Sequence, residues 1–435
     1  MKIYDYPSTE AENRIQAILS RGIDTGAADY QNVSAIVKDV RTRGDEAVVE
    51  YTNRFDAPQM RISGLKVTTQ EIEAARKSVS SEFMAALETA ASQIASFHRR
   101  QVRNSWFTAD RQGVVLGQLL NPVSAAGIYV PGARGGTTPL VSSVLMGAIP
   151  AAIAGVSRVV MVSPPMEDGA INAHLLAAAD RVGVTEIYKT GSAWAIAALA
   201  YGTKTIAPVD VIVGPGNIYV TLAKKIVSAF VGVDMIAGPS EILVVADEEA
   251  DPGFIAADLL SQAEHDPLSS AILVCTSRDQ ARSVQSEVQH QLAGLSRQQI
   301  AEQAIEDFGA VFVVRDISVA MALSNRIAPE HLELQIRDPF AWLPLVQNAG
   351  AVFLGAYTPE PVGDYMAGPN HVLPTGGSAR FSSALSVDCF VKQSSVVYYS
   401  RDAFVREAEA VTALAEIEGL SAHAASIRQR LKSSD

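Results

Sequence analysis

From Gly113 to Gly355 the sequence alternates short apolar runs with longer helical stretches, and that rhythm leaves few folds open. GVVLGQLL, AAGIYV, RVVMV, EIYK, VDVIVG and EILVVAD read as strands. Between them, Pro139 to Ala154, Ala170 to Val182, Ala193 to Tyr201 and Ile218 to Phe230 read as helices. Strands separated by helices long enough to cross back form parallel sheets. A second series, AILVC, AVFVV, HLELQI and AVFLG, begins where the first ends at Ala246. The expected fold is therefore α/β, with two parallel-sheet domains and one inserted in the other. A chain of 435 residues is too long for one ordinary core, which fits the division.

The flanks are helical. Thr9 with Glu12 has the spacing of a capping box for a helix to about Ser20. Val33, Ile36, Val37 and Val40 repeat at helical spacing, and Thr68 with Glu71 opens a long helical region ending near Gln101. Their apolar faces need a sheet that comes later in the chain. Gly355 to Ala384 carries too much Pro and Gly for regular structure, and a loop of that length in a compact domain is usually functional. Asp402 to Ile417 and Ser421 to Leu431 read as helices outside any domain core. We expect an N-terminal arm (1–24), a discontinuous first α/β domain (25–125 and 240–380), a second α/β domain (126–239) and a C-terminal helical tail (381–435).

Composition excludes several functions. With 35 basic against 47 acidic residues and no Lys/Arg cluster, nucleic acid is not an expected partner. Cys275 and Cys389 sit in apolar surroundings, against a disulfide framework or a thiolate metal site. The N-terminus lacks the apolar core of a secretory signal, and the longest apolar run, Val144 to Val156, is too short to span a bilayer. The expectation is a cytoplasmic protein without a membrane partner.

Four stretches concentrate ionisable groups. In Asp258 to His265, Gln262 and His265 fall about 60° apart beside an apolar helical arc, so both side chains face one cleft. An amide oxygen and a ring nitrogen can share a divalent cation if a carboxylate and a second imidazole join them. Pro329 ends a helix and places Glu330 and His331 together before a strand. Asp364 and His371 lie in the Gly/Pro loop, and Glu418 and His423 near the chain end. Each alone has a plainer reading as a cap, a turn or a surface residue. Their common setting, imidazole beside carboxylate or amide in Gly/Pro-punctuated segments, favours chemistry. No Gly-x-Gly-x-x-Gly turn follows a strand, so the usual dinucleotide fingerprint is missing. Tyr129 at a strand end, and Gly214-Pro215-Gly216-Asn217 leading into a helix, remain as anion-binding turns.

Taken together, GIYVPG, SSVLM, AIAALAYGT, GPGNIYV, AGPSE, DLLSQAEHD, APEHLEL, GDYMAGPNHVLPT and EGLSAH resemble the histidinol dehydrogenase family over nearly the whole chain. The resemblance implies two Rossmann-like domains in an intertwined homodimer whose sites are shared between subunits. It implies NAD and one zinc per site, and oxidation of L-histidinol through L-histidinal to L-histidine, the last steps of histidine biosynthesis. Gln262, His265, Asp364 and His423 match the zinc ligands, with His423 from the partner copy. Glu330 matches the activator of water and His331 the acid-base group. Ser240 and Glu418 match substrate contacts, as do the metal ligands and His331, and His371 lies in the motif close to the substrate. Tyr129 and Asn217 match nucleotide contacts. Two departures fall in the nucleotide half: Trp194 stands in Gly191-Ser192-Ala193-Trp194-Ala195 where the family usually has GGAQA, giving a possible indole contact to the cofactor, and the loop Ala133 to Thr138 is longer. They motivate an alternative, the same chemistry on another small polar primary alcohol. A zinc-stabilised scaffold without chemistry is a third reading.

Overall fold

A computed structural model describes residues 1–21, 27–132, 138–184 and 186–432. The loop Ala133 to Thr138, Thr138 excepted, lies outside the described residues. In chain order the strands are β1 (Lys2–Asp5), β2 (Trp106–Thr108), β3 (Val114–Pro122), β4 (Ala125–Tyr129), β5 (Arg158–Ser163), β6 (Glu186–Lys189), β7 (Val211–Val213), β8 (Gly232–Val233), β9 (Glu241–Ala246), β10 (Ser270–Cys275), β11 (Ala310–Val313), β12 (His331–Gln335), β13 (Ala351–Leu354) and β14 (Val391–Tyr399).

Eleven of these strands build two parallel sheets, ordered β6-β5-β4-β7-β8 and β1-β11-β10-β9-β12-β13. The two sheets repeat one plan. Each starts at a central strand, β4 or β9, winds outward through two neighbours, then returns to the other side of its starting strand. The strand order thus reverses between β4 and β7 and between β9 and β12, and such switch points open crevices in α/β sheets. β9, β10 and β12 are buried along their whole length, as central strands of a sheet covered on both faces should be, although β12 alternates polar with apolar residues.

The α/β expectation holds, with local corrections. GVVLGQLL, read as the first strand of the parallel series, forms β3 in an antiparallel sheet ordered β14-β3-β2. Only Val123 and Ser124 separate β3 from β4, too few for the crossover that parallel pairing needs. Residues 1–24 were expected as an arm, yet β1 pairs in parallel with β11 at the edge of the six-stranded sheet. The helices of the first hundred residues, grouped by sequence with residues 240–380, lie instead over the helices of the five-stranded sheet. Ala27–Arg43 packs on Ser192–Tyr201 and Ile218–Val227, Thr69–Ser78 on Ala173–Arg181, and Ser81–Arg99 on Val141–Ala154. The helical region from Thr68 is broken at Ser80, whose hydroxyl caps Phe83 N–H and starts a new helix. Ser8 rather than Thr9 caps the first helix, while the Thr68–Glu71 capping box forms as read.

Two compact units result: Met1–Gln101 with Val123–Phe390, and Val102–Pro122 with the chain from Val391. The second holds the antiparallel sheet and the helices Arg401–Ile417 and Ser421–Lys432, which follow the expected bounds closely. Among the described residues no helix is long and apolar enough to cross a membrane.

Candidate active site

β9, β12 and β13 are parallel and in register, so His331 stands beside Ile242 and Ala351 at the amino ends of their strands. Three sequence features bring chemistry to this end. Ala328 closes the helix Ile317–Ile327 in a left-handed conformation, and Pro329 then turns the chain so that Glu330 and His331 enter β12 from a tight corner. The helix Pro252–Ala263, capped by Asp251, runs back along the sheet from the far end of β9. Its last turn carries Gln262, and His265 follows. The Gly/Pro segment after β13, expected to be irregular throughout, forms short helical turns over Glu360–Val362 and Gly363–Ala367 that carry Asp364, and His371 follows them. A cavity of about 380 Å³ lies here, lined by His331, Asp364, Asn370 and His371 among polar groups and by Phe353 and Leu373 among apolar ones.

His331 is buried, and its Nδ1 lies 2.9 Å from the carbonyl oxygen of Glu241. A carbonyl only accepts, so Nδ1 carries the proton and Nε2 keeps its lone pair. Burial pushes the imidazole down to about 4, with the charges of His265 and His371 acting the same way. The ring is therefore neutral at pH 7 and able to take a proton. Glu330 lies 3.6 Å from it, is buried, and accepts the backbone N–H of Glu241 at 2.9 Å. Burial raises this carboxyl well above the usual range, and the neighbouring Glu241 charge adds to the effect.

Around this pair lies a concentration of acids. His331, Glu360 and Asp364 offer ligand atoms that all lie within 4.8 Å of one another. Burial first, then the Asp364 charge, lifts Glu360 to about 8, and burial lifts Asp364 to about 6. His371 Nδ1 is 3.8 Å from Asp364 Oδ1, and burial brings this ring down to about 4. Behind them, the Gln335 amide donates to both Asp258 (2.6 Å) and Glu333 (2.9 Å), and Glu333 accepts the backbone N–H of Glu360 (3.0 Å). Three buried polar atoms of this region have no hydrogen-bond partner: Gln262 Oε1, Gln335 Oε1 and His371 Nε2. Orphaned acceptors among carboxyls whose ionisation burial disfavours are what a divalent cation would satisfy, so the donor set fits such an ion. Asp364, Glu330, His331 and His371 are thus brought to one place, Gln262 is buried on the helix whose Ser261 hydroxyl reaches Glu360 at 3.5 Å, and exposed His265 is near enough for its charge to act on His331, His371 and Glu360. Ser240 is half-buried immediately before β9.

Sequence reading missed Glu360, Glu333, Asp258 and Glu241. For two of them a signal was present. Glu360 precedes Asp364 by one helical turn in EPVGD, and Glu333 is an acid flanked by Leu332 and Leu334 in a fully buried strand.

The remaining candidates lie elsewhere. Tyr129 ends β4 and is buried, its hydroxyl accepting the Ser192 N–H at 3.2 Å, and burial lifts the phenol to about 12. Gly214 follows β7 at a φ of +113°, where an added Cβ would meet Tyr129 O at 2.2 Å, so only glycine lets the two strand ends approach. Asn217 is exposed and caps the next helix by accepting from Tyr219 and Val220 N–H. Tyr129 and Asn217 therefore flank the β4/β7 switch point at the carboxyl ends of that sheet. Trp194, expected against the cofactor, is 4% exposed, stacks with Tyr51 and Phe55, and donates its indole N–H to Thr52. It is a core residue with its one polar atom satisfied. Glu418 and His423 are exposed residues of the second unit, at the end of one helix and in the first turn of the next.

Comparison with known proteins agrees with this arrangement. The family model described as histidinol dehydrogenase matches residues 21–431. Among curated relatives, histidinol dehydrogenase of Desulfotalea psychrophila is 54% identical over 98% of both chains, and that of Syntrophotalea carbinolica is 52% identical over 100% of both. The crystal structure of histidinol dehydrogenase from Elizabethkingia anophelis superposes with a TM-score of 0.92 at 38% identity, covering 100% of this chain and 98% of the other. With buried imidazole and carboxylates at the strand ends where those motifs place them, and a family match over almost its full length, the chain belongs to the histidinol dehydrogenase family.

Proposed function

We propose that the protein is a cytoplasmic, NAD-linked, zinc-dependent enzyme that oxidises L-histidinol through L-histidinal to L-histidine. The observation that carries the reading is His331, a buried neutral imidazole whose protonated nitrogen is fixed on Glu241 and whose other nitrogen keeps its lone pair free. In the first oxidation His331 takes the alcohol proton as hydride leaves the same carbon. In the second, Glu330 takes a proton from water, whose oxygen adds to the aldehyde carbon while His331 returns its proton to the aldehyde oxygen, and His331 then removes a hydroxyl proton of the resulting hydrate as the second hydride leaves. One water is consumed and two hydrides depart. NAD, when bound, would supply the hydride acceptor for both departures.

Gln262, His265 and Asp364 would hold the zinc, with His423 of a second copy completing the set. When bound, the metal would supply a positive charge that orients the substrate. Glu418 of that second copy and Ser240 would contact the substrate, and Tyr129 and Asn217 the nucleotide. A thiol-adduct route to the acid is disfavoured because burial pushes the Cys275 thiol up to about 11 and raises that of Cys389. The alternative substrate rested partly on Trp194, and an indole committed to the core removes that reason.

The test is stoichiometry. Purified zinc-loaded protein given histidinol and excess NAD should form two NADH for each histidine. One NADH with accumulating aldehyde, or faster turnover of another alcohol, would contradict the proposal.

A further inference from the structure

The Glu330–His331 corner is held from behind by a residue that the proposed mechanism does not use. Glu241 is 4% exposed and is bonded at four atoms. Its carbonyl receives His331 Nδ1, and its backbone N–H is given to Glu330 Oε2. Its side chain returns the contact: Oε2 accepts the Glu330 backbone N–H at 3.2 Å, while Oε1 accepts Gly376 N–H at 3.0 Å and Arg21 Nη2 at 2.7 Å. Arg21, 9% exposed, is itself fixed by donating to the carbonyls of Ile18 (2.8 Å) and Leu268 (2.9 Å).

We infer that Glu241, anchored by Arg21, is a positioning residue that fixes both members of the Glu330–His331 pair for proton transfer. The argument is one of bonding capacity. Glu241 and Glu330 exchange reciprocal bonds between side chain and backbone, so neither can rotate alone. The His331 ring is oriented by a carbonyl whose place depends on where the Glu241 side chain is tied. Every group facing that side chain is a donor, three in all, so an amide could not replace the carboxylate without pointing its own N–H2 at an N–H. The two adjacent buried carboxyls need a cation, and Arg21 supplies it through a fork that reaches three acceptors at once. Small misplacement of a base is costly, about 10²-fold per ångström. The inference rests on the acid-base roles proposed for Glu330 and His331.

The test uses the zinc-loaded full chain. Glu241→Gln should lower kcat about 10- to 100-fold while KM for histidinol and for NAD stay within about threefold and zinc content is unchanged. Arg21→Lys keeps the charge but cannot reach three acceptors, and should lower kcat several-fold with the same split. It serves as the second reading if the first variant is unstable. Full kcat in both variants, or in Arg21→Lys alone when Glu241→Gln does not fold, would overturn the inference. So would losses confined to KM or to metal content. His331→Gln separates the failures: if it is inactive while the Glu241 and Arg21 variants are fully active, the acid-base reading stands and the positioning role falls.

Discussion

The two parallel sheets share one strand plan but carry their functional residues at opposite ends. In the five-stranded sheet the candidates cluster at the carboxyl ends, around the β4/β7 switch point, which is the usual crevice of such sheets. In the six-stranded sheet they cluster at the amino ends of β9, β12 and β13. The contrast follows from what fills each crevice. At the carboxyl ends of β9 and β12, Asp247 accepts the Arg337 backbone N–H and Glu249 accepts its guanidinium, with Asp251 close behind in sequence. Carboxylates there repel a pyrophosphate. At the amino ends the helix Pro252–Ala263 and the Gly/Pro loop deliver amide, imidazole and carboxylate instead.

The regions differ in material as well. The five-stranded half pairs most of its buried charges, with Lys224 on Asp234, Arg158 on Glu186 and Lys189 on Glu71, and its candidate ligand contacts come from backbone turns. The amino-end site leaves Gln262 Oε1 and His371 Nε2 without partners. Asp56 Oδ2, Ser163 Oγ and Thr190 Oγ1 are unpartnered in the five-stranded half as well, so the two regions differ in which groups are left unsatisfied, an amide and an imidazole in one, hydroxyls and a lone carboxyl in the other.

Substitutions can break or sharpen this contrast. His331→Gln should cost on the order of 10²- to 10⁴-fold in kcat with metal content and melting temperature nearly unchanged, read by steady-state rates and thermal unfolding. Trp194→Ala should do the reverse. It removes a stacked, buried indole and should cost about 3–5 kcal/mol of stability, while KM for NAD in the folded protein stays fixed; a selective rise in that KM would return Trp194 to the cofactor. Asn217→Ala should remove a helix cap, about 1 kcal/mol of stability, and raise KM for NAD by roughly two- to tenfold with KM for histidinol constant.

The smallest effect concerns Asp56, whose Oδ2 is buried without a partner in the five-stranded half and whose charge acts on Tyr129. Burial lifts its carboxyl to about 6. The folded state therefore binds more protons than the unfolded one between about pH 4 and 6, and stability from this group rises as pH falls through that window. Asp56→Asn should gain about 1 kcal/mol at pH 7, after allowance for solvent screening, and nothing near pH 3. Urea unfolding of both proteins across that range reads the difference.

How far the sequence foretold this depends on the kind of residue. The α/β rhythm gave the parallel strands because helix-length spacers force crossovers, and it misread β3 because periodicity does not reveal a missing spacer. Gln262, Asp364, Glu330 and His331 were legible as polar groups in apolar or Gly/Pro settings. Glu241 and Arg21 were not, since their importance lies in a bond between residues 220 positions apart. Trp194 was read outward because a motif position says nothing of which way a side chain faces.

A structure of the zinc-loaded protein with histidinol and NAD tests the central contrast most directly. The account places substrate among His331, Asp364 and His371 at the amino ends of β9 and β12, with the NAD pyrophosphate at the carboxyl ends of β4 and β7. Pyrophosphate density at the carboxyl ends of β9 and β12, or substrate outside the reach of His331, would contradict it.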